Sequence, residues 1–219
     1  TASVIVYEVL RSLGAHVRAK QANRIADGYG LPGALVRQLC RSATKLLVMV
    51  DCGTNQAEAI RTLHAHGIDT IVIDHHVLMD GWAKPHALIN PHRADGPGHE
   101  LCSAGLVFGV ARALVEDPAQ TDAYLDLAAL GTLADCSPLR GDNRILVASG
   151  LQRLVHSDRP GVRQLCKATG LPQPDPDHVV RRLVPRLNAS GRLGNPEAVW
   201  HLLCRQTQDT TEAWMAAAE

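Results

Sequence analysis

The chain has 219 residues, of which 46% are hydrophobic and 20% charged, as in an ordinary folded protein. A chain of this length forms one large domain or two small ones and buries roughly 70% of its unfolded surface, so it needs no disulfides to fold. Its 22 basic and 22 acidic residues cancel. The net charge therefore does not attract nucleic acid, and any such site has to be a local patch.

The cysteines and the apolar segments argue against a secreted or a membrane protein. The six cysteines are scattered, with no C-x-x-C pair, which disfavours a zinc site and a disulfide framework and favours reduced thiols. No apolar run approaches the ~20 residues of a membrane span, and no signal peptide is recognisable. We therefore expect a cytoplasmic protein that makes no membrane contact.

The first half of the chain predicts alternating helices and strands. Helices are predicted up to about Gly14 and over 32–41 and 56–66, and strands over 16–22, 46–50, 70–73 and from Ala87. Asn55, with Glu58 three positions later, is similar to a capping box. The strands over 46–50 and 70–73 are continuously apolar, which is typical of a parallel sheet covered by helices on both faces.

After Ser103 the pattern turns helical, with candidate helices over 104–116, 121–134, 143–157, 161–169, 177–187 and 196–204. Asp142 and Asn195 are suitable N-caps. The fold class predicted is therefore α/β. A parallel, helix-covered sheet occupies residues 1–140, a helical extension of the same domain 141–205, and the start of a connecting helix 206–219.

Acidic side chains follow two neighbouring strands where each strand ends. Asp51 follows the strand over 46–50, and residues 74–76 (DHH) follow the strand over 70–73. In parallel sheets, ligands bind beyond the carboxyl ends of the strands, and these ends share one edge. Carboxylate and imidazole ligands suit divalent metals such as Mn²⁺ or Mg²⁺. The arrangement predicts metal-assisted chemistry on a phosphate ester.

Each of these residues also has an ordinary structural interpretation. Asp51 can cap the next helix, and two adjacent histidines can belong to a surface loop. Asp135, which follows a very apolar helix, can be a cap or a surface acid, because an unpaired buried carboxylate is costly. The conjunction favours a metal site, since a helix cap does not require two histidines beside the second acid.

Six segments together resemble the DHH phosphoesterase superfamily, across residues 1 to about 205. Four match its motifs: 50–53 (VDCG), 74–76 (DHH), 90–91 with 100–105, and 131–135 with 138–139 and 143–144. Two more are similar to segments of the RecJ single-stranded-DNA exonucleases: 23–31 (NRIADGYGL) and 186–193 (RLNASGRL).

The resemblance implies a two-metal centre, usually with Mn²⁺ and otherwise with Mg²⁺. Asp51 would bridge both ions, and His75 and Asp135 would complete the second metal site. His76 would contact the scissile phosphate, with Asp74 as an auxiliary catalytic acid. Two such ions stabilise the attacking and leaving oxygens of a phosphoryl transfer.

A basic segment lies near the C-terminus, with four arginines and no acid between residues 181 and 192. By charge alone it is a solvated helix face. The likeness to RecJ favours a nucleic-acid or phosphate-binding site instead, formed by Arg186, Asn188, Ser190, Gly191 and Arg192. Because aromatic residues make up only 3% of the chain, salt-sensitive contacts to the backbone are a better mechanism than base stacking.

The implied function is 5′-to-3′ hydrolysis of single-stranded DNA in DNA repair and recombination. Further partners left open are a single-strand-binding protein or a helicase, and the oligomeric state is also open. One alternative is a DHH-family phosphodiesterase for small oligonucleotides or cyclic dinucleotides, or a pyrophosphatase. Another is a non-catalytic scaffold of the replication fork, which the retained acids and histidines disfavour.

The sequence departs from the family in one respect. The first motif, an Asp-x-Asp-Gly that supplies ligands to the first metal, is absent, and in relatives it lies just before the helix that begins here at Thr1. We therefore expect a piece of a longer protein that by itself binds metal weakly and has little or no activity.

Overall fold

The computed structural model describes residues 1–22, 28, 30–93, 99–170, 175–192 and 194–205, and for residue 192 only the backbone. Most of the RecJ-like segment over 23–31 and all of residues 206–219 therefore lie outside the described residues. Within them, no helix is long and apolar enough to cross a membrane.

The first half of the chain alternates helices with strands: α1 (Ala2–Ser12), α2 (Gly33–Cys40), β1 (Leu46–Val50), α3 (Ala57–Ala65), β2 (Asp69–Ile73), β3 (Ala87–Ile89) and a short 3-10 turn (Pro91–Arg93). The second half is helical: α4 (Ser103–Leu114), α5 (Pro118–Asp122), α6 (Leu125–Ala134), α7 (Gly141–Leu154), α8 (Pro160–Ala168), α9 (Pro176–His178), a π-helical turn (Val179–Leu183), α10 (Val184–Arg192) and α11 (Pro196–Leu203). The predicted α/β class is confirmed.

The three strands form a parallel sheet in the order β1-β2-β3. Successive residues of each strand point to opposite faces. Val48 and Val50 pack on the large core formed with α1, α4 and α6, whereas Met49 and Val72 pack with Ile60 of α3. Helices therefore cover both faces, which explains the continuously apolar strands.

One core joins the two halves of the chain, because its buried residues run from Ala2 to Cys204. Helix α7 packs tightly against α6 at Gly150, where a β-carbon would lie only 2.2 Å from the backbone oxygen of Leu125. Glycine is required there by the close approach of the two helices. The helices after residue 140 thus belong to the same core as the sheet.

Some predicted elements were wrong. Residues 15–22 form no strand; instead Gln21 accepts a hydrogen bond from Ser3, and Lys20 pairs with Glu197. The predicted helix over 121–134 is two helices, α5 and α6. Residues 15–22 have no partner strand among the described residues, and a strand needs one to satisfy its backbone hydrogen bonds.

Two predicted helix caps were also wrong, and one was confirmed. Helix α3 has Gln56 at its N-cap, while the side chain of Asn55 bonds to the loop after β2. Asp142 lies inside the first turn of α7, whose N-cap is Arg140. Asn195 does cap α11, since its side-chain oxygen accepts a hydrogen bond from the backbone nitrogen of Ala198.

A buried ionic cluster, which the sequence did not reveal, ties the ends of the chain together. Arg159 is fully buried and donates to both carboxylate oxygens of Glu8, at 2.9 and 2.8 Å, and to the backbone oxygen of Leu203 at 2.7 Å. A carboxylate oxygen of Asp126 lies 3.6 Å from its Nε. The cluster therefore joins α1 and α6 to the residue just before α8 and to the end of α11.

Candidate metal centre

Asp51 and Asp74 lie at the same edge of the sheet, where the parallel topology predicted them. The backbone nitrogen of Asp51 donates to the oxygen of Ile73, and that of Asp74 donates to the oxygen of Ile89, both at 3.0 Å. The ladder therefore extends one residue beyond β1 and β2. Both acids begin loops at the carboxyl ends of the strands.

The backbone is unusual at one of the acids and directly after another. Asp51 has a φ of 63°, and Cys136, which follows Asp135, has a φ of 56°. Aspartate tolerates this left-handed region, whereas it costs a residue such as cysteine roughly 1–2 kcal/mol. The two residues lie where β1 and α6 end, and each turn directs the chain away from its element beside an acid.

His75 is the point where these acids meet. Its Nε2 lies 3.3 Å from Oδ1 of Asp51 and 3.6 Å from Oδ1 of Asp135. Three elements supply the group: Asp51 follows β1, His75 follows β2, and Asp135 is the C-cap of α6. One donor atom from each of Asp51, His75 and His76 also lies within 4.8 Å of the other two.

This donor set fits a divalent metal. Two ligand atoms held by one ion at about 2.1 Å are themselves about 3.0–3.4 Å apart in octahedral or tetrahedral geometry. The observed spacing of 3.3 Å lies within that range, and the spacing of 3.6 Å lies 0.2 Å above it. Carboxylate oxygens with an imidazole nitrogen suit Mn²⁺ and Zn²⁺, and the carboxylates suit Mg²⁺.

The charges in the group compensate one another in the absence of metal. Burial raises the pKa of Asp51, but the hydrogen bond with His75 opposes this, and the pKa lies below its ordinary value. The same hydrogen bond with Asp51 raises the pKa of His75, burial opposes it, and the negative charge of Asp135 adds to the rise. The two carboxylates therefore favour positive charge at the position of His75.

Asp74 is buried, with 1% of its surface exposed, and four donors point at its carboxylate. The backbone nitrogens of Thr54, His75 and His76 donate at 3.1, 2.9 and 3.3 Å, and Nδ1 of His76 lies 2.6 Å from Oδ1. Burial raises the pKa of Asp74, yet the hydrogen bonds from Thr54 and His76 hold it below its ordinary value. Asp74 thus fixes the turn that carries both histidines.

Asn90 supports the same turn, a role that sequence reasoning missed. Its amide nitrogen donates to Oγ1 of Thr54 at 3.0 Å and to the backbone oxygen of His76 at 2.9 Å, and its oxygen accepts from the nitrogen of His92 at 2.8 Å. The signal in the sequence was an asparagine directly after β3. Asn90, Thr54 and Asp74 together fix the backbone at His76.

The segment after Asp135 is fixed from both sides. The hydroxyl of Ser137 donates to Oδ2 of Asp135 at 2.9 Å. Arg140 donates from Nε to both oxygens of Glu100 at 2.6 and 2.9 Å, and the amide nitrogen of Asn143 donates to the backbone oxygen of Glu100 at 2.7 Å. The bonds to Glu100 join the third and fourth segments that resemble DHH motifs, beside the candidate ligand Asp135.

The basic segment near the C-terminus has a structural role that its sequence did not predict. Arg186 donates to the backbone oxygen of Ala168 at 2.9 Å, and Arg182 to that of Thr169 at 3.5 Å, so both bind the carboxyl end of α8. Asn188 is exposed, Gly191 is half-buried and Ser190 is buried, with its hydroxyl 3.5 Å from the oxygen of Leu187. The side chain of Arg192 lies outside the described residues.

The N-terminal domain of the DHH family matches residues 1–132, and the chain therefore belongs to the DHH family. Among its curated relatives, the single-stranded-DNA-specific exonuclease RecJ of Thermus thermophilus is 37% identical over 100% of this chain and 32% of its own length. The protein of the same name from Bacillus subtilis is 32% identical over 100% of this chain and 28% of its own length.

Two solved structures are also similar. An exonuclease RecJ bound to manganese matches with a TM-score of 0.91 and 32% identity, over 99% of this chain and 56% of that one. RecJ of Thermus thermophilus in complex with Mn²⁺ matches with a TM-score of 0.87 and 30% identity, over 99% of this chain and 32% of that one. The chain thus spans well under two thirds of the length of these relatives.

Proposed function

We propose that this chain is the metal-binding part of a single-stranded-DNA exonuclease that hydrolyses phosphodiester bonds with two divalent ions. The observation that carries the proposal is the approach of Asp51 and Asp135 to His75, at 3.3 and 3.6 Å. The names of the relatives and the manganese in the similar structures support it.

Asp51, His75 and Asp135 would hold Mn²⁺ or Mg²⁺ at this edge of the sheet. When bound, the ions supply an acidified water nucleophile and stabilise the charge that develops on the phosphoryl oxygens. Asp51 follows β1 directly and has a left-handed backbone. Its half-exposed carboxylate lies beside His75 and is also open to solvent.

His76 would contact the scissile phosphate. Its Nδ1 is occupied by Asp74 at 2.6 Å, so Nε2 is the ring nitrogen that remains for a substrate. With both ring nitrogens protonated, Nδ1 donates to Asp74 while Nε2 donates to a phosphoryl oxygen as negative charge builds there. Asp74 acts through His76, because its own carboxylate is already occupied by four donors.

We place the 5′ end of single-stranded DNA as the substrate, and DNA repair and recombination as the setting, on the likeness to the RecJ exonucleases. Arg186 and Asn188 are exposed and remain suitable for the nucleic-acid backbone, with Arg192 beside them in sequence. A guanidinium has five donors, so the bond from Arg186 to Ala168 leaves others for a phosphate. Ser190 and Gly191 would contribute by shaping α10. A single-strand-binding protein or a helicase is a further partner to test.

The test is Mn²⁺-dependent digestion of a 5′-phosphorylated single strand by the gene product that carries these residues. We expect mononucleotides to be released progressively, and the rate to fall by more than about a hundredfold in Asp51→Asn and His76→Ala. His66→Ala, which changes an exposed histidine at the end of α3, is the matched control. Digestion that persists in Asp51→Asn contradicts the proposed centre. Cleavage of cyclic dinucleotides or dinucleotides alone supports a small-substrate phosphodiesterase.

A further inference from the structure

The loop over residues 77–84 is tied at both ends to the turn that carries the histidines of the candidate metal centre. It starts directly after His76, and near its other end the backbone nitrogen of Ala83 donates to the oxygen of Thr54 at 2.8 Å. Thr54 in turn donates its backbone nitrogen to Asp74. The loop is therefore anchored on both sides to residues that hold the histidine turn.

The interior of this loop is also well fixed. The side chain of Asn55 donates to the backbone oxygen of Val77 at 2.9 Å and accepts from the nitrogen of Met79 at 3.0 Å. The nitrogen of Trp82 donates to the oxygen of Met79 at 3.0 Å, which closes a tight turn around Gly81, whose φ is 74°. These bonds fix the backbone of the loop, and Ala83, which is buried with Met49, Ile60 and Val72, ties its end to the core.

Two large apolar side chains project from this fixed loop. Val77 and Met79 are each 67% exposed, although each lies within three residues of His76. Exposed apolar residues are common singly, but a pair held on a rigid loop beside a candidate active site marks a contact surface. Asn55, just before α3, fixes the backbone of the loop and leaves these two side chains free.

Positive charge lies beside Trp82, near the end of the same loop. Nζ of Lys84 lies 3.4 Å from the centroid of the Trp82 ring, and the guanidinium of Arg93 lies 5.9 Å from it. The ring thus holds a cation of the loop in position, since cations are attracted to aromatic faces. The loop itself carries one acid, Asp80, and one cation, Lys84, and Arg93 adds a second cation from the 3-10 turn after β3.

We infer that Val77 and Met79 form the surface on which unpaired nucleobases beside the scissile phosphate lie, with Lys84 attracting the strand's backbone. This inference rests on the proposed function. The faces of bases are apolar and accessible only when the strand is unpaired, and phosphates carry the complementary charge. The loop would then contribute to the preference for a single strand over a duplex.

The test is a double-mutant cycle between the loop and the bases. The gene product binds a fluorescent 5′-phosphorylated oligothymidine, and the same strand with abasic sites at its first three positions, in Ca²⁺ buffer, followed by anisotropy. We expect the loss of the bases to weaken binding to the unaltered protein by about tenfold. In the Val77→Ser, Met79→Ser double variant, both strands should bind with Kd values within about twofold of each other.

Leu46→Ser is the matched control, since Leu46 is also an exposed apolar residue (46%) but lies at the opposite end of β1 from Asp51. It should keep the tenfold difference. If the ratio of the Kd values for the abasic and intact strands is the same in the double variant and the unaltered protein, the inference is overturned. A change in the sedimentation of the double variant would assign Val77 and Met79 to contact with a second copy of the chain instead. Digestion of the unmodified strand with Mn²⁺ tests the proposed function separately, because anisotropy needs no catalysis.

Lys84→Met provides a second, independent measurement. If Lys84 neutralises one phosphate, the slope of log affinity against log salt should become shallower by about 0.7. The variant keeps the apolar stem of the side chain over the Trp82 ring, so the loop should retain its shape. An unchanged slope contradicts the role of Lys84 in attracting the strand.

Discussion

The buried carboxylate of Asp74 lies 2.6 Å from Nδ1 of His76, two residues further along the chain. This short contact orients the imidazole whose other nitrogen remains available at the edge of the sheet. The same carboxylate also accepts the backbone nitrogens of both histidines. One acid therefore fixes the geometry of the turn from which the candidate ligand His75 also projects.

Asp74→Asn should lower the free energy of unfolding by about 2–3 kcal/mol, because the amide group turns a donor toward donors that are buried. Urea denaturation measures the change. Asp80→Asn, in the exposed loop that follows, is the control and should leave stability unchanged within about 0.5 kcal/mol. Equal stability of the two variants would show that the Asp74 network does not hold the fold.

Asp51→Asn should weaken Mn²⁺ binding by at least about tenfold while preserving the fold, because it removes an anionic ligand but asparagine tolerates the left-handed backbone. Calorimetric titration of Mn²⁺ and a thermal melt measure the two effects. Asp69→Asn is the control, since Asp69 lies at the far end of β2 and is exposed. Unaltered Mn²⁺ affinity in Asp51→Asn would remove this residue from the centre.

Without metal, the protein should be most stable at mildly acidic pH, and its free energy of unfolding should fall toward both lower and higher pH. The pKa of Asp51 and of Asp74 is below the ordinary 3.8 in the fold, so the stability they add is present above that value and lost as pH falls through the folded pKa. The pKa of His75 is above the ordinary 6.5, so its contribution is full below that value and lost as pH rises through the folded pKa.

Urea denaturation with a chelator present, across pH 3–9, measures this profile. The control is His75→Gln, which should abolish the decrease on the alkaline side and keep the part of the acid-side decrease that comes from Asp74. A variant that retains the alkaline decrease would assign it to another group. Added Mn²⁺ should displace the proton from His75 and release it, which calorimetry in two buffers detects.

Arg159→Met should destabilise the fold by about 3–5 kcal/mol, because it removes the buried cation between the carboxylates of Glu8 and Asp126 and leaves only the partly exposed Arg205 near Glu8. Both acids are mostly buried, with side-chain exposures of 13% and 3%. Urea denaturation measures the loss. Arg153→Met, at an exposed site on α7, is the matched control. The double variant Glu8→Gln, Arg159→Met should recover part of the loss, and no recovery would contradict an ionic origin.

Arg186→Met distinguishes nucleic-acid binding from helix capping. If the guanidinium contacts a phosphate, the slope of log affinity for a single strand against log salt concentration should be shallower by about 0.7 in the variant. Fluorescence anisotropy at several salt concentrations measures it. Arg61→Met, an exposed arginine on α3, is the control. An unchanged slope together with a lower melting temperature would show that Arg186 stabilises the end of α8 through Ala168 and does not contact the strand.

The sequence determined the parallel sheet and the edge at which the acids lie. Continuous apolar strands and the acids that follow them are local patterns, so they can be recognised in the sequence alone. The parallel register then places Asp51 beside Asp74, as it does for any two neighbouring strands of such a sheet. The motif at 74–76 likewise identified the histidines, although not their partners.

Only the tertiary structure decided which partners these residues have. Glu8 and Arg159 are 151 residues apart, and no periodicity connects them. Asn55 was predicted to cap α3 but holds the loop over 77–84, and Arg186 binds the end of α8. Helix and strand periods report which face of an element is buried, whereas polar contacts depend on which distant segments packing brings together.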